Sequence, residues 1–421
     1  MAGQAEAPGV GQPLAVEETE IRGLAEFAEG LQEQWPFAER EVAGNVGKRR
    51  PTRGRRDFHD RAIGKPDKGY SGPGLAPVFP IRQVGASDQT DPPRSTRELH
   101  AGAQLLLERA RPFESERPPN RGPNHKMILY RLCNPGAAGY NESSMLTEIS
   151  TGVRLATREW PGKGPAIVCI HGLTANHACW ESLAGFLAPD YRVIAYDLRG
   201  RGESEKPPKG YSVPIHADDL AALLDHFGLK RVVLFGHSLG ANIAAYFASR
   251  HPQRVKQLVL IDGGIDVRAE IFDSLGPAVG RVGIEFPSME IFLQMLQLLP
   301  MFAGRWNDEL ERYFRADVEI SPSGTVKSKV AKHAIEEEVA NFARERFWVY
   351  HHRIKSPTLI LRAPDGLLSE TDCLMTQAEA EALAHAIPRA KLVVIPNTNH
   401  YTLLLGKNEK TRRAVRGFLN S

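Results

Sequence analysis

The stretch LFGHSLGAN, residues 234–242, decides the fold of this chain. It overlaps the apolar run Val232–Phe235 and leads into the alanine-rich segment Ala241–Arg250, so the sequence predicts a strand, a sharp turn and a helix in direct succession. Two glycines flank Ser238, as a very sharp turn requires where neighbouring backbones come too close for a Cβ atom. A serine on such a turn is exposed at a helix N-terminus, where developing negative charge is favoured. We therefore predict that Ser238 is a nucleophile.

Outward from this turn, short apolar runs alternate with segments of helical periodicity. Continuous apolar runs of this kind are typical of parallel strands buried on both faces of a sheet. The runs are 166–170, 193–196, 232–235, 258–261, 359–361 and 392–395, and the helical segments between them include 215–227, 241–250 and 376–387. This alternation predicts an α/β fold, with a doubly wound and mostly parallel sheet.

The alternation is interrupted between Gly263 and Ser356, where no buried-strand run occurs. Helical patterns take its place at Ser288–Leu299, Asn307–Phe314 and Ala331–Phe347. We interpret 265–350 as an inserted helical cap, between core segments 145–264 and 351–421. Such a cap is expected over the carboxyl ends of the strands, where open α/β sheets bind their ligands.

A histidine and an aspartate are required to activate a serine nucleophile. His400 follows the last predicted strand, in a loop that can reach Ser238 from above the sheet edge, and we predict that it is the base. Asp365 follows the strand at 358–361 and is the preferred acid, which would hold the imidazole in the correct tautomer. Asp262 and Asp372 are the alternatives, and with any of the three the chain order is Ser, Asp, His.

The loop His171-Gly172-Leu173-Thr174 follows the strand at 166–170. Its backbone can face the turn at Ser238, so we expect the N–H groups of Leu173 and Leu239 to form an oxyanion hole. The side chain of His171 is interpreted as structural, orienting this loop.

Three segments resemble the α/β-hydrolase superfamily, near its small bacterial esterases, lactonases and carbon–carbon bond hydrolases. They are IHGLTANHACW (170–180), YDLRGRGES (196–204) and LFGHSLGAN (234–242), and the resemblance covers 147–421. The stretch Asp197–Ser204 looks like a structural turn of this family. One departure is Ala363, where many relatives carry glycine in the acid loop. Dehalogenases and epoxide hydrolases of this superfamily have an aspartate at the position of Ser238, so the serine favours acyl transfer to water, without metal or organic cofactor.

The resemblance implies a serine hydrolase that cleaves a carboxylic ester or lactone through an acyl-enzyme. The alternatives are hydrolysis of a carbon–carbon bond in a β-diketone-like ring-cleavage product, and a non-enzymatic ligand-binding member of the fold. We predict that an apolar or aromatic small-molecule substrate contacts a pocket of Trp180, Phe286, Met289 and Phe292. The competing interpretation is that these side chains only pack the cap on the core.

The composition indicates few other partners. A formal net charge of +3 over 421 residues does not favour nucleic-acid binding. The four cysteines, Cys133, Cys169, Cys179 and Cys373, form no CxxC pair, which argues against zinc and favours a reducing compartment. No secretory signal and no apolar run of about 20 residues is present, so we expect a cytoplasmic protein without a membrane partner. The sequence does not indicate an oligomeric state.

Residues 1–144 differ in character from the rest of the chain. They contain half of its 30 prolines and scattered arginines, without a periodic core pattern. Composition of this kind does not offset the entropy of ordering, so we expect an irregular extension. The catalytic domain is expected to begin near Met145. An upstream translation start or a regulatory segment lying on the cap would each account for the extension.

Overall fold

A computed structural model describes residues 145–268, 271, 274–342 and 344–421. The irregular extension expected for residues 1–144 lies outside this range. Within it, no helix is long and apolar enough to cross a membrane.

Eight strands form the central sheet, and three short ones lie in the inserted segment between its sixth and seventh strands in chain order. In chain order, the strands are β1 (Met145–Glu148), β2 (Arg154–Trp160), β3 (Ala166–Ile170), β4 (Arg192–Tyr196), β5 (Val232–His237), β6 (Val255–Ile261), β7 (Glu285–Phe286), β8 (Val318–Ile320), β9 (Val326–Ser328), β10 (Thr358–Arg362) and β11 (Ala390–Val394). The central order is β1-β2-β4-β3-β5-β6-β10-β11. Strands β1 and β2 pair antiparallel, β2 runs antiparallel to β4, and the other pairs are parallel. The predicted fold class is confirmed.

Helices cover both faces of this sheet and also lie in the inserted segment. They are α1 (Glu181–Leu187), α2 (Val213–His226), α3 (Leu239–Arg250), α4 (Gly276–Gly280), α5 (Met289–Leu298), α6 (Asp308–Asp317), α7 (Lys332–Phe342), α8 (Gln377–Ala386) and α9 (Glu409–Leu419). Helices α1 and α9 pack on one face, and α2, α3 and α8 on the other. Alternate residues of β3 point into the two apolar clusters, Ile167 into one and Val168 into the other. Burial on both faces explains why these strands are continuous apolar runs.

Strands β1 and β2 were not predicted. They form an antiparallel pair at the sheet edge, and β1 is mostly exposed, with Met145 and Leu146 facing solvent. An edge strand of four residues has little apolar pattern because only one of its side chains is buried.

The inserted segment between β6 and β10 contains helices at the three predicted positions, α5, α6 and α7, and a short helix, α4, that the sequence did not predict. It also contains a small antiparallel sheet of β7, β9 and β8, which the sequence did not predict. Its strands are two or three residues long, too short to produce a detectable alternation of apolar and polar residues. The cap packs on the α1 face of the core, with Phe286, Phe292 and Phe302 in the same cluster as Trp180.

Candidate active site

Ser238 lies on the turn between β5 and α3, with backbone angles of φ 57 and ψ −121. A positive φ is rare for residues other than glycine, and it persists only where the surrounding structure enforces it. The surroundings are tight, because a Cβ atom at Gly236 would lie 2.2 Å from the carbonyl oxygen of Gly240. A Cβ atom at Gly240 would lie 2.1 Å from the carbonyl oxygen of Ile170. The two glycines therefore permit the turn that presents the serine at the sheet edge.

His400 is held by Asp262. Its Nδ1–H donates to Oδ2 of Asp262 at 2.9 Å, and both side chains are buried. The other carboxylate oxygen of Asp262 accepts the backbone N–H of Ala363 at 3.1 Å. The backbone N–H of Ser238 donates to the carbonyl oxygen of Ile261 at 3.0 Å, so the predicted nucleophile lies beside the residue that precedes the acid. With Nδ1 engaged, Nε2 is the imidazole nitrogen that remains for proton transfer.

The prediction that Asp365 holds His400 is wrong. Asp365 does lie beside the histidine loop, because its backbone N–H donates to the carbonyl oxygen of Thr398 at 3.0 Å. Its carboxylate instead pairs with the guanidinium of Arg305 in the cap at 2.8 Å. Asp262 follows β6, the strand next to β5, with a left-handed backbone at φ 44, and its carboxylate is the one that binds His400.

Asp372, the other alternative, closes its own loop. Its carboxylate accepts backbone N–H groups from Leu367, Leu368 and Ser369 at 2.8, 2.9 and 3.0 Å. Burial by itself would raise the pKa of Asp372, but these hydrogen bonds and one from Ser274 lower it below the ordinary value. Its role is therefore structural.

The two backbone groups predicted for the oxyanion hole belong to Leu239, which follows Ser238 in the chain, and to Leu173, in the loop that begins beside Ser238. Leu239 is the first residue of α3, where an N–H group has no acceptor within the helix. Gly172 lies against the turn, since a Cβ atom there would be 3.1 Å from the Cβ of Ser238. Leu173 is the next residue along this loop. Its role in binding an oxyanion remains a prediction.

His171 has the structural role expected of it. Its Nδ1–H donates to the carbonyl oxygen of Gly172 at 2.8 Å, and its Nε2 accepts the N–H of Leu198 at 2.9 Å. Only a neutral imidazole can make both bonds. Burial lowers the pKa of His171 to about 4, which keeps it neutral.

His237 is a site residue that the sequence analysis missed. Its ring stacks on the ring of His400, with centroids 4.5 Å apart, and its Nε2–H donates to the backbone carbonyl of His400 at 2.9 Å. Burial, then the neighbouring charge of His400, lowers the pKa of His237 well below its ordinary value. The neutral ring of His237 thus supports His400, the predicted base, in addition to the bond from His400 to Asp262. No local pattern distinguishes this residue, which simply precedes the serine.

The side chains predicted to contact substrate are packed in the cap–core interface. Trp180, Phe286 and Phe292 are buried in one apolar cluster, and Met289 is partly buried against it. Phe286 and Phe292 contact each other edge-on, with centroids 5.1 Å apart. These contacts are those of cap packing, and contact with a substrate remains a prediction.

Comparison with known proteins agrees with this architecture. The family model described as alpha/beta hydrolase fold matches residues 165–407, more than half of the chain. The chain belongs to this α/β-hydrolase family. It is 28% identical over 273 residues to 2-(acetamidomethylene)succinate hydrolase of Mesorhizobium japonicum, covering 64% of this chain and 92% of that protein.

Two further relatives are similar over a comparable part of the chain. A 3-hydroxybutyrate-oligomer hydrolase of Cupriavidus necator is 27% identical over 261 residues, covering 59% of this chain and 87% of that protein. The crystal structure of an E-2-(acetamidomethylene)succinate hydrolase superposes with a TM-score of 0.58 at 26% identity, covering 66% of this chain and 99% of that one. These relatives are all hydrolases, which supports hydrolysis as the general activity of this chain.

Proposed function

We propose that this chain is a serine hydrolase that cleaves a carboxylic ester or lactone through an acyl-enzyme, with Ser238, His400 and Asp262 as its triad. The observation that carries the proposal is the hydrogen bond of 2.9 Å between His400 Nδ1 and Asp262 Oδ2, next to a serine held at φ 57. A buried carboxylate on Nδ1 and a serine on a strained turn are the two features that distinguish a reactive serine from a structural one.

Each residue has one role in this reaction. Asp262 keeps the proton of His400 on Nδ1 and stabilises the imidazolium that forms. Nε2 of His400 takes the hydroxyl proton of Ser238 as the serine oxygen attacks the acyl carbon. It later delivers that proton to the leaving alkoxide. The N–H groups of Leu173 and Leu239 receive the negative charge that develops on the acyl oxygen. Water, activated by the same histidine, then releases the acid.

The substrate that we propose is a small molecule with an apolar or aromatic part beneath the cap. Its support is the aromatic character of the cap–core interface, with Trp180, Phe286 and Phe292 in one cluster. The relative from Cupriavidus necator is described as acting on 3-hydroxybutyrate oligomers, and that from Mesorhizobium japonicum on an acetamido compound. Both compounds belong in a substrate panel, with p-nitrophenyl esters, lactones and a dienoic β-diketone.

The proposed location is the cytoplasm. Cys169, Cys179 and Cys373 are buried free thiols, and burial raises the pKa of Cys169 and Cys179 well above the ordinary value. Protonated, unpaired thiols of this kind are typical of proteins in a reducing compartment.

The test is covalent labelling by a fluorophosphonate probe together with the substrate panel. Wild-type protein should be labelled at Ser238, and Ser238→Ala should lose labelling and about 10⁶ in turnover. Ser249→Ala, a buried serine of α3 that donates to the carbonyl oxygen of Tyr246, is the matched control and should behave as wild type. Labelling that persists in Ser238→Ala, or its absence in the wild type, would contradict the proposal.

A further inference from the structure

The loop that carries Leu173 is held through its carbonyl groups by two buried arginines. Nε–H of Arg201 donates to the carbonyl oxygen of Leu173 at 3.0 Å. A guanidinium nitrogen of Arg281 donates to the carbonyl oxygen of Thr174 at 2.7 Å, and the other to its hydroxyl at 3.3 Å. The preceding carbonyl, that of Gly172, is held by His171 at 2.8 Å. Three consecutive carbonyl groups of this loop are therefore fixed by hydrogen bonds from buried side chains.

This anchoring has a geometric consequence. The N–H and C=O of one peptide unit point in opposite directions, because the unit is planar and trans. The N–H of Leu173 shares its peptide unit with the carbonyl of Gly172, and the next unit is fixed through the carbonyl of Leu173. The Leu173 N–H therefore points away from the Gly172 carbonyl, and its direction is fixed together with that carbonyl. The bond from His171 before Leu173 and the bond from Arg201 after it thereby limit rotation on either side of this residue.

Each arginine is paired with a carboxylate of the cap. A nitrogen of Arg201 donates to Glu338 of α7 at 3.0 Å, and Arg281 pairs with Asp317 of α6 at 3.1 Å. Side chains of all four residues are at most 2% exposed. A buried charge requires a partner of opposite sign, and a planar guanidinium can bind several acceptors in fixed directions.

Glu338 has a second hydrogen-bond partner besides Arg201. It also accepts a hydrogen bond from Nε2 of His216 at 2.7 Å. Burial by itself would raise the pKa of Glu338, but the neighbouring charges of His216 and Arg201 bring it below the ordinary value. Glu338 is thus ionised at neutral pH, and its bond to Arg201 connects the guanidinium to the cap helix.

We propose that Arg201 and Glu338 are positioning residues for the oxyanion hole, so that the cap helix α7 sets the orientation of the Leu173 backbone. This inference rests on the proposed function, because it assumes that Leu173 binds an oxyanion. Arg281 and Asp317 act in the same way on Thr174. The turn Asp197–Ser204 is then more than a structural turn, since Arg201 connects the cap to the oxyanion loop.

The test compares Arg201→Lys with Glu337→Gln in the full chain. A lysine retains the positive charge opposite Glu338, but its single ammonium cannot reproduce the planar fork that binds Leu173, Arg199 and Glu338 together. Glu337 is the matched control. It lies on the same helix and accepts the N–H groups of Gly210 and Tyr211 at 3.0 Å, without contacting the oxyanion loop.

Arg201→Lys should lower both kcat and the rate of fluorophosphonate labelling by roughly 10- to 100-fold, because a displaced oxyanion donor weakens only the transition state. KM should stay within about twofold. Glu337→Gln should keep kcat, KM and labelling near wild type. A purely structural role for Arg201 predicts a lower melting temperature with unchanged rate constants for the folded protein, and that result would overturn the inference.

The double variant Arg201→Met with Glu338→Met covers the case in which Arg201→Lys does not fold. It removes both charges together, which is far less destabilising than leaving one buried alone. The same loss of kcat and labelling rate is expected, and wild-type rates would refute the inference. Failure of the proposed function is distinguishable, because wild-type protein would then not be labelled at Ser238 at all.

Discussion

The choice of acid is the most discriminating prediction, and the substitution Asp262→Asn tests it. In the wild type, Oδ1 of Asp262 accepts the N–H of Ala363 at 3.1 Å and Oδ2 accepts Nδ1–H of His400 at 2.9 Å. An asparagine must turn its carbonyl oxygen toward Ala363, because a backbone N–H cannot face an amide NH₂. The NH₂ group then faces His400 and requires Nδ1 to be an acceptor. The proton is forced onto Nε2, which can no longer receive the proton of Ser238.

The expected loss follows from this tautomer. An Asp-to-Asn change that leaves the geometry intact lowers turnover by roughly 10⁴ in a serine protease, which corresponds to about 5 kcal/mol of activation free energy. The same change at Asp365 removes only a partly exposed pair with Arg305, 2.8 Å long. Exposed pairs of this kind contribute about 0.2 to 1 kcal/mol to stability, so the variant should stay folded. Its turnover should stay near wild type, because the Asp365 carboxylate pairs with Arg305 and not with His400.

The assay is kcat with the best ester of the panel, for Asp262→Asn and Asp365→Asn, with circular dichroism to establish that each is folded. Labelling by the fluorophosphonate should fall in parallel with kcat in Asp262→Asn. If Asp365→Asn is the crippling variant and Asp262→Asn remains active, the geometric reasoning about Ala363 and His400 is refuted.

Three further predictions concern pH and the catalytic domain. Activity should fall as pH is lowered, because protonated His400 cannot accept a proton, and a flat profile of kcat/KM from about pH 5 to 9 would contradict its role as base. Burial lowers the pKa of His171 to about 4. As pH falls from about 6.5 to 4, His171 becomes protonated in the unfolded chain but stays neutral in the folded protein. The free energy of unfolding should therefore decrease by roughly 3 kcal/mol through this residue. Urea titrations across this range should show a shallower decrease for His171→Gln than for wild type. Residues 145–421 expressed alone should match the full chain in kcat and melting temperature, and an insoluble or inactive fragment would show that the preceding residues are needed.

The sequence by itself determined the six parallel strands of the central sheet and the predicted nucleophile. Apolar runs such as 166–170 coincide with the bounds of β3, since a strand buried on both faces has no polar side to interrupt the pattern. The turn at Ser238 could be predicted because two glycines within five residues report a local steric requirement. The loop after the last strand was likewise enough to nominate His400. Each of these properties depends on residues close together in the chain.

Only the tertiary structure decided which carboxylate binds His400 and how the cap is connected to the loop at 172–174. Asp262 and Asp365 come shortly after β6 and β10, which are parallel neighbours in the sheet. Both aspartates therefore lie at the same edge of the sheet, and local sequence does not separate them as partners for His400. What separates them is the arrival of Arg305 from the cap at Asp365, and of His400 at Asp262. Partners 60 and 138 residues away along the chain leave no periodicity in the sequence. Their pairing is set by tertiary packing, because each carboxylate binds whichever charge or donor the fold brings to it.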